Sequence, residues 1–297
     1  MNKIMSLLGP AGTLSHEAFQ FLRKNVPNQF GEPVFIQTIS KAVELLKLRM
    51  VSYALVPVEN STVGLVSETL ELLRSDFYEG DYRCLFAEAL VEIPVSYCLR
   101  AIEGTNMAQV KVVYSKRETL LQCKRTLWEL LGYEVCFVET QSTAEAVTRL
   151  QDGGQAALVS ENFPTNFSLL ARGVEDVKAN ATKFYLLSVV PPDNRPWRDN
   201  TRMSLLYTLP HEVGALHKVT EVLNTFGWNI NTIHSLATGS PGDYLFFMEC
   251  ESTIMGVDSQ NTLRPRKTHF ESVHQNLSRF VNDLWVLGSM RTYKKPR

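Results

Sequence analysis

The chain is short of cysteine, of excess charge and of long apolar runs. Its five cysteines (Cys84, Cys98, Cys123, Cys136 and Cys250) are odd in number and include no C-x-x-C pair. That excludes a fully paired disulfide framework and a zinc knuckle, and it fits reduced thiols in a cytoplasmic protein. Thirty Lys and Arg against 31 Asp and Glu leave a net charge of −1, so no broad basic field exists for nucleic acid or an anionic membrane. Charged residues interrupt every apolar stretch before the ~18 residues that a membrane span requires. The opening ten residues, with one lysine and a short apolar run, do not read as a secretory signal. Several catalytic signatures are also missing. There is no G-x-G-x-x-G, no P-loop and no G-x-S-x-G elbow, and His211-Glu212 is followed by His217, off the spacing of an H-E-x-x-H zinc helix. Nucleotide, serine-hydrolase and zinc chemistry are therefore disfavoured, and neither metal nor organic cofactor is expected.

What is present is ordinary globular material: 297 residues, 44% apolar and 21% charged, enough for about two domains at ~150 residues each. The stretch 190–200, with Pro191, Pro192 and Pro196 among polar residues, reads as an extended connector. Before it, short apolar runs (3–8, 34–38, 53–58, 110–114, 134–138, 156–160) alternate with helical periodicity (15–24, 40–48, 67–75, 118–131, 142–151). This predicts an α/β fold of βα units on largely parallel sheets, with functional groups at the carboxyl ends of strands. Pro94 interrupts a strand-like run at 89–99 and marks a hinge between two lobes. After the connector the order is strand 203–208, helix 214–226, strand 229–236, strand 244–250, a helix marked by Phe270, Val273, Leu277, Phe280 and Leu284, and a last strand 285–287. That is a β-α-β-β-α-β, ferredoxin-like unit.

Three segments carry candidate chemistry. In Gly9-Pro10-Ala11-Gly12-Thr13-Leu14-Ser15-His16 a strand ends, glycines permit a tight turn and hydroxyls open a helix; backbone N–H groups there attract carboxylate or phosphate, although an ordinary turn capped by Thr13 or Ser15 has the same pattern. In Pro57-Val58-Glu59-Asn60-Ser61-Thr62-Val63-Gly64 a buried strand runs into a carboxylate, an amide and two hydroxyls, the place where α/β proteins put binding groups; a capped helix start is the alternative. The third, Asn180-Ala181-Thr182-Lys183-Phe184, is by itself only a strand edge.

In this order, the segments resemble prephenate dehydratases. The family's opening G-P-x-G-T-x-S-H is met by Gly9, Pro10, Gly12, Thr13, Ser15 and His16, and its P-[IV]-E-N-S-x-x-G by Pro57, Val58, Glu59, Asn60, Ser61 and Gly64. Its mid-chain S-H-P-Q-A-L-x-Q-C corresponds to Ser115-Lys116-Arg117-Glu118-Thr119-Leu120-Leu121-Gln122-Cys123. An S-T-A motif stands at Ser142-Thr143-Ala144, and the family's N-x-T-R-F becomes Asn180-Ala181-Thr182-Lys183-Phe184. The C-terminal part resembles an ACT domain, with a G-A-L helix start at Gly214-Ala215-Leu216. The resemblance implies a two-lobed, periplasmic-binding-protein-like catalytic domain over 1–190 (lobes about 1–94 plus 170–190, and 95–169), a linker at 191–201 and an ACT regulatory domain over 202–297. It also implies a homodimer or homotetramer. Departures are Lys116, Arg117 and Glu118 for His-Pro-Gln, Lys183 for arginine, and His234-Ser235-Leu236-Ala237 for the E-S-R-P that binds phenylalanine. A lysine keeps arginine's charge but not its planar, bidentate fork.

The implied reaction converts prephenate to phenylpyruvate, CO2 and water on the route to phenylalanine. Hydroxide leaves poorly, so a proton donor is needed at the ring oxygen. Thr182 is assigned as that polarised donor, and Lys183 as the balance to substrate charge. Glu59 and Asn60 orient the ring hydroxyl, and Glu59 is a second candidate acid if burial raises its pKa. Thr13, Ser15, Ser61, Thr62, Ser115, Gln122 and Phe184 are expected to bind substrate. Gly214, Ala215, Leu216, His234 and Ser235 are expected to bind an amino-acid effector, with the response to phenylalanine weakened or the effector changed. Two other readings stand beside this one: a prephenate decarboxylase that keeps the hydroxyl, and a non-catalytic amino-acid sensor.

Overall fold

The computed structural model describes residues 3–78, 84–190, 202–252, 256–257, 263–264 and 267–296; the expected linker at 191–201 lies outside the described residues. The chain begins with β1 (Met5–Leu8), α1 (Leu14–Asn25), β2 (Val34–Ile36), α2 (Ile39–Lys47), β3 (Tyr53–Asn60), β4 (Gly64–Leu65), α3 (Ser67–Tyr78) and β5 (Leu85–Pro94). Capping sets the helix starts. Thr13 accepts from the His16 amide ahead of α1, and Thr38 accepts from the Lys41 amide ahead of α2. Glu17 in the first turn of α1 and Arg23 and Lys24 in its last complement the helix dipole. Ala18, Phe19 and Leu22 of α1, and Ile39, Ala42, Val43 and Leu46 of α2, form the buried stripes that cover the sheet.

Beyond Pro94 the chain crosses to a second sheet of β6 (Tyr97–Ala101), β7 (Val112–Ser115), α4 (Arg117–Leu131), β8 (Cys136–Glu139), α5 (Thr143–Thr148), β9 (Gln155–Ser160) and β10 (Ser168–Arg172), in the order β10-β6-β9-β7-β8. It returns through β11 (Ala181–Val189), which lies between β5 and β3 in the first sheet. Two sheets joined by two crossings make two lobes with a cleft between them; the fold is α/β as expected, but the sheets are mixed rather than largely parallel, because β11 and β6 pair antiparallel with both of their neighbours. The strand at Ser168–Arg172 escapes the sequence reading because its short pattern is half exposed.

The C-terminal elements are β12 (Arg202–Thr208), α6 (Ala215–Thr225), β13 (Trp228–Ala237), β14 (Tyr244–Ser252), the short pair β15 (Gly256–Val257) and β16 (Leu263–Arg264), α7 (Lys267–Leu277) and β17 (Asp283–Lys294). The order β13-β14-β12-β17 is ferredoxin-like. One expectation needs correction here. The last strand does not stop at 287. Up to Met290 it pairs antiparallel with β12, and over Arg291–Lys294 it pairs parallel with Ala89–Glu92 of β5, welding the C-terminal sheet to the first lobe. The polar tail Arg291-Thr292-Tyr293-Lys294 gave no apolar signal, because main-chain hydrogen bonds hold it there. A register shift at the seam brings Gly288 so close that an added Cβ would lie 2.3 Å from the Ala87 carbonyl oxygen.

The union is also apolar. Leu206, Leu236, Leu245, Phe247, Trp285, Leu287 and Met290 of the C-terminal unit share one buried cluster with Val43, Leu46, Leu73, Phe77 and Tyr185 of the first lobe. The remaining face of that unit packs on its own helices through Met203, Leu205, Val219, Met248, Phe270 and Val286. Among the described residues, no helix is long and apolar enough to cross a membrane.

Candidate active site

Between the lobes lies a cavity of about 270 Å³. The first lobe supplies Leu8, Gly9, Thr13, Leu14, Ser15, Gln37, Pro57, Thr182 and Phe184; the second supplies Tyr97, Lys116, Thr119, Thr143, Leu158, Val159 and Ser160. Gly12, at φ +86°, sits where a Cβ would strike Pro164, and its carbonyl accepts from Ser160 Oγ at 2.6 Å. The opening motif therefore touches both lobes at the cleft edge. His16 Nδ1 accepts from the Gly12 amide at 2.9 Å. Partial burial lowers the His16 pKa, with Glu32 opposing, which favours the neutral ring that accepts this bond.

Thr182 is the best-defined polar group of this wall. It is buried, and its Oγ1 accepts from Asn60 Nδ2 at 2.9 Å. The orientation of the Asn60 amide follows from its partners: its Oδ1 accepts from the backbone amides of Thr62 and Val63 at 3.0 and 3.1 Å. Its NH2 must therefore face Thr182, which leaves the Thr182 hydroxyl proton free to point elsewhere. Apolar Phe184, Leu14, Pro57 and Leu158 surround the same space. Tyr97 lines the opposite wall, and burial pushes its phenol up to about 12, against a hydrogen bond with Thr119, so it too carries a proton at neutral pH.

The structure separates residues that the sequence reading grouped together. Thr13, Ser15, Thr182 and Phe184 line the cavity; Glu59, Asn60, Ser61, Thr62, Ser115, Gln122 and Lys183 do not. Successive strand residues point to opposite faces. A bulge against β11 between Lys183 and Phe184 sets Asn60 opposite Thr182 and Glu59 opposite Lys183. Lys183 Nζ pairs with Glu59 Oε2 at 2.5 Å on the far face, where Tyr185 reaches the C-terminal unit. Neither Lys183 nor Glu59 lines the cavity. Ser115 is fully buried and donates to the Leu158 carbonyl at 2.7 Å, so it holds β7 to β9. Ser61 donates to Asn180 Oδ1 at 3.1 Å, and Asn180 donates to Gln122 Oε1 at 2.8 Å, a bridge from the first lobe to α4 of the second. Thr62 is exposed and contributes its amide to the Asn60 turn.

Tyr97, Gln37, Thr119, Thr143 and Ser160 were missed as lining residues, and Lys116 was noted only as a departure. Thr119, Thr143 and Lys116 lie inside quoted motifs at helix starts, a signal that was available; Tyr97 and Gln37 carry none.

On the far face Tyr185 Oη lies 2.6 Å from Ser204 Oγ and donates to the Glu249 carboxylate. Arg202 approaches Glu249 at 3.5 Å and Glu251 at 3.1 Å. Burial, only partly offset by the Tyr185 hydrogen bond and by Lys183 and Arg202, raises the Glu249 pKa. At the C-terminal unit's other end a second cavity of about 490 Å³ is lined by Gly214, Ala215 and Leu216 with His211, Glu212, His217, Tyr244 and Phe246. Gly214 takes φ +84° as the N-cap of α6. His234 and Ser235 do not line this cavity. Among the described residues, no group of three or more His, Cys, Asp or Glu side chains is placed to hold a metal.

Two lobes around a cleft, with a buried threonine lining the cavity between them, define a two-lobed α/β protein with a site of small-molecule size. The prephenate dehydratase family model matches residues 5–191. A bifunctional chorismate mutase/prephenate dehydratase of Aquifex aeolicus (strain VF5) is 31% identical over 255 residues, covering 83% of this chain and 65% of the relative. The chain thus spans a little under two thirds of that protein. A chloroplastic arogenate dehydratase/prephenate dehydratase 2 of Arabidopsis thaliana is 27% identical over 296 residues, covering 95% of this chain and 71% of its own. Among solved structures, the prephenate dehydratase of Arthrobacter aurescens in complex with L-Phe superposes with a TM-score of 0.77 at 22% identity, over 97% of this chain and 89% of that one. GqqA, described as a quorum-quenching acylase, gives 0.75 at 23% identity over 98% of both chains. The chain belongs to the prephenate dehydratase family, a family of hydro-lyases with periplasmic-binding-protein-like lobes.

Proposed function

We propose that this chain dehydrates and decarboxylates prephenate to phenylpyruvate. The observation that carries this reading is the oriented Thr182: Asn60 supplies its incoming hydrogen bond, so its own proton is free for a leaving hydroxyl in the cavity. As the bond from the ring to its carboxyl carbon breaks, CO2 departs and the electron pair enters the ring. The C4–O bond breaks with its electrons on oxygen, and the proton passed at Thr182 completes water. A threonine hydroxyl is too weak an acid to ionise, so it acts as a donor or relay with its proton replenished from cleft water. Leu14, Pro57, Leu158 and Phe184 hold the ring in apolar surroundings that favour loss of charge. Within this proposal 1–190 form the catalytic unit, in the two lobes given above, and no metal or organic cofactor takes part.

The same proposal gives 202–297 the role of an ACT domain. The cavity at Gly214, Ala215 and Leu216 would take an amino-acid effector, with weakened response to phenylalanine because E-S-R-P is replaced by His234-Ser235-Leu236-Ala237. His234 and Ser235 stay outside the cavity of a single chain; a homodimer or homotetramer supplies a neighbour for that face.

Mixing the protein with prephenate at neutral pH, beside a no-enzyme control, tests the reading. Phenylpyruvate with stoichiometric CO2 is expected. CO2 without an aromatic product would favour the decarboxylase, and unchanged prephenate would contradict an enzyme of this substrate.

A further inference from the structure

The cavity has one charged side chain among the residues that line it, and that residue is Lys116. Resting on the dehydratase reading, we propose that Lys116 anchors a substrate carboxylate and makes the site select an α-keto dianion over the corresponding α-amino acid. The other basic residues of these motifs are committed elsewhere. Lys183 is held by Glu59 on the far face, and Arg117 is turned toward Glu139 at 4.0 Å. Lys116 makes no ion pair or side-chain hydrogen bond among the described residues. It also occupies the N-cap of the 15-residue helix α4, where no side chain caps the first amides. The partial positive charge of that helix end adds to the ammonium in favouring an anion.

The selectivity follows from what the cavity lacks. No Asp or Glu lines it, so an α-ammonium entering there would find no counter-charge and would meet Lys116 as a like charge. Prephenate brings two carboxylates and a neutral keto group. Arogenate, its amino counterpart, brings that ammonium. Lys116 itself presents a compact, strongly hydrated cation.

The test is kcat/KM for prephenate and for arogenate in the native protein, Lys116→Gln and Lys116→Arg. The native protein should prefer prephenate by a factor of about 100. Lys116→Gln should lower kcat/KM for prephenate about 10- to 100-fold, the size of one lost charged hydrogen bond. An anchor used in both ground and transition states acts mostly through KM. Arogenate turnover should change less than about threefold, and Lys116→Arg should recover most of the loss. Equal effects of Lys116→Gln on both substrates, or a native preference for arogenate, would overturn the proposal. If the native protein turns over neither substrate, the dehydratase reading fails instead, and calorimetry with phenylpyruvate still decides on Lys116: affinity about tenfold weaker in Lys116→Gln supports the anchor, and equal affinity removes it.

Discussion

The two faces of strand β11 divide the work of the molecule between consecutive residues. Thr182 and Phe184 look into the cleft, where hydroxyls and apolar side chains line the cavity together. Lys183 and Tyr185 look the other way, onto a seam of paired and buried charge made with Glu59, Ser204, Glu249 and Arg202. The contrast is one of dielectric use. In the cleft the Thr182 hydroxyl has no acceptor and Lys116 no counter-ion among the described residues, while at the seam Lys183 pairs with Glu59, and Arg202 with Glu249 and Glu251. One strand thus connects a site built for chemistry to an interface built for the C-terminal unit. The replacement of the family's arginine by Lys183 bears on the interface side.

The largest effect should come from breaking the cleft face. Thr182→Val should lower kcat about 10²-fold or more while leaving thermal unfolding unchanged within about 1 kcal/mol; normal turnover would remove Thr182 from the chemistry. On the seam, Gly288→Ala forces a methyl against the Ala87 carbonyl and should destabilise by about 1–3 kcal/mol in urea unfolding. A neutral result would show that the seam relaxes freely. A subtler cleft change, Asn60→Asp, turns the donor to Thr182 into an acceptor, so the threonine proton points backward. Turnover should fall about tenfold, roughly one hydrogen bond, with little change in stability. Asn60→Asp at native rates would break the orientation argument.

The smallest expected effect is a pH dependence confined to the seam. Because burial raises the Glu249 pKa, the folded state holds that proton more tightly than the unfolded chain. The contribution is fully present below the ordinary carboxyl range and is lost as pH rises through the raised value. Glu249→Gln, which keeps a partner for Tyr185, should flatten the fall of stability with rising pH across that window. An unchanged slope in chemical denaturation would assign the dependence to other groups.

Much of this was legible in the amino-acid sequence, for reasons that differ by residue. The helices of 14–47 announce themselves through capping threonines and a 3.6-residue apolar stripe, and the strand order of the C-terminal unit through its β-α-β-β-α-β rhythm. The motif around Thr182 marked the right strand but not which face each residue takes, because the bulge that sets Glu59 and Lys183 across from each other has no local pattern. Ser115 and Gln122 are expected at substrate because they match the family's mid-chain motif; neighbours far along the chain, Leu158 and Asn180, take up their hydrogen bonds. The final strand past Leu287 was invisible because main-chain pairing with β5, not an apolar pattern, holds it.

The division of β11 is tested most directly by turnover of prephenate in Lys183→Gln beside the native protein. If Lys183 belongs to the seam, kcat and KM stay within about threefold of native while unfolding moves to lower denaturant, the modest effect of a half-buried ion pair. A loss of about 100-fold in kcat, matching that expected of Thr182→Val, would place Lys183 in the cleft and contradict the account.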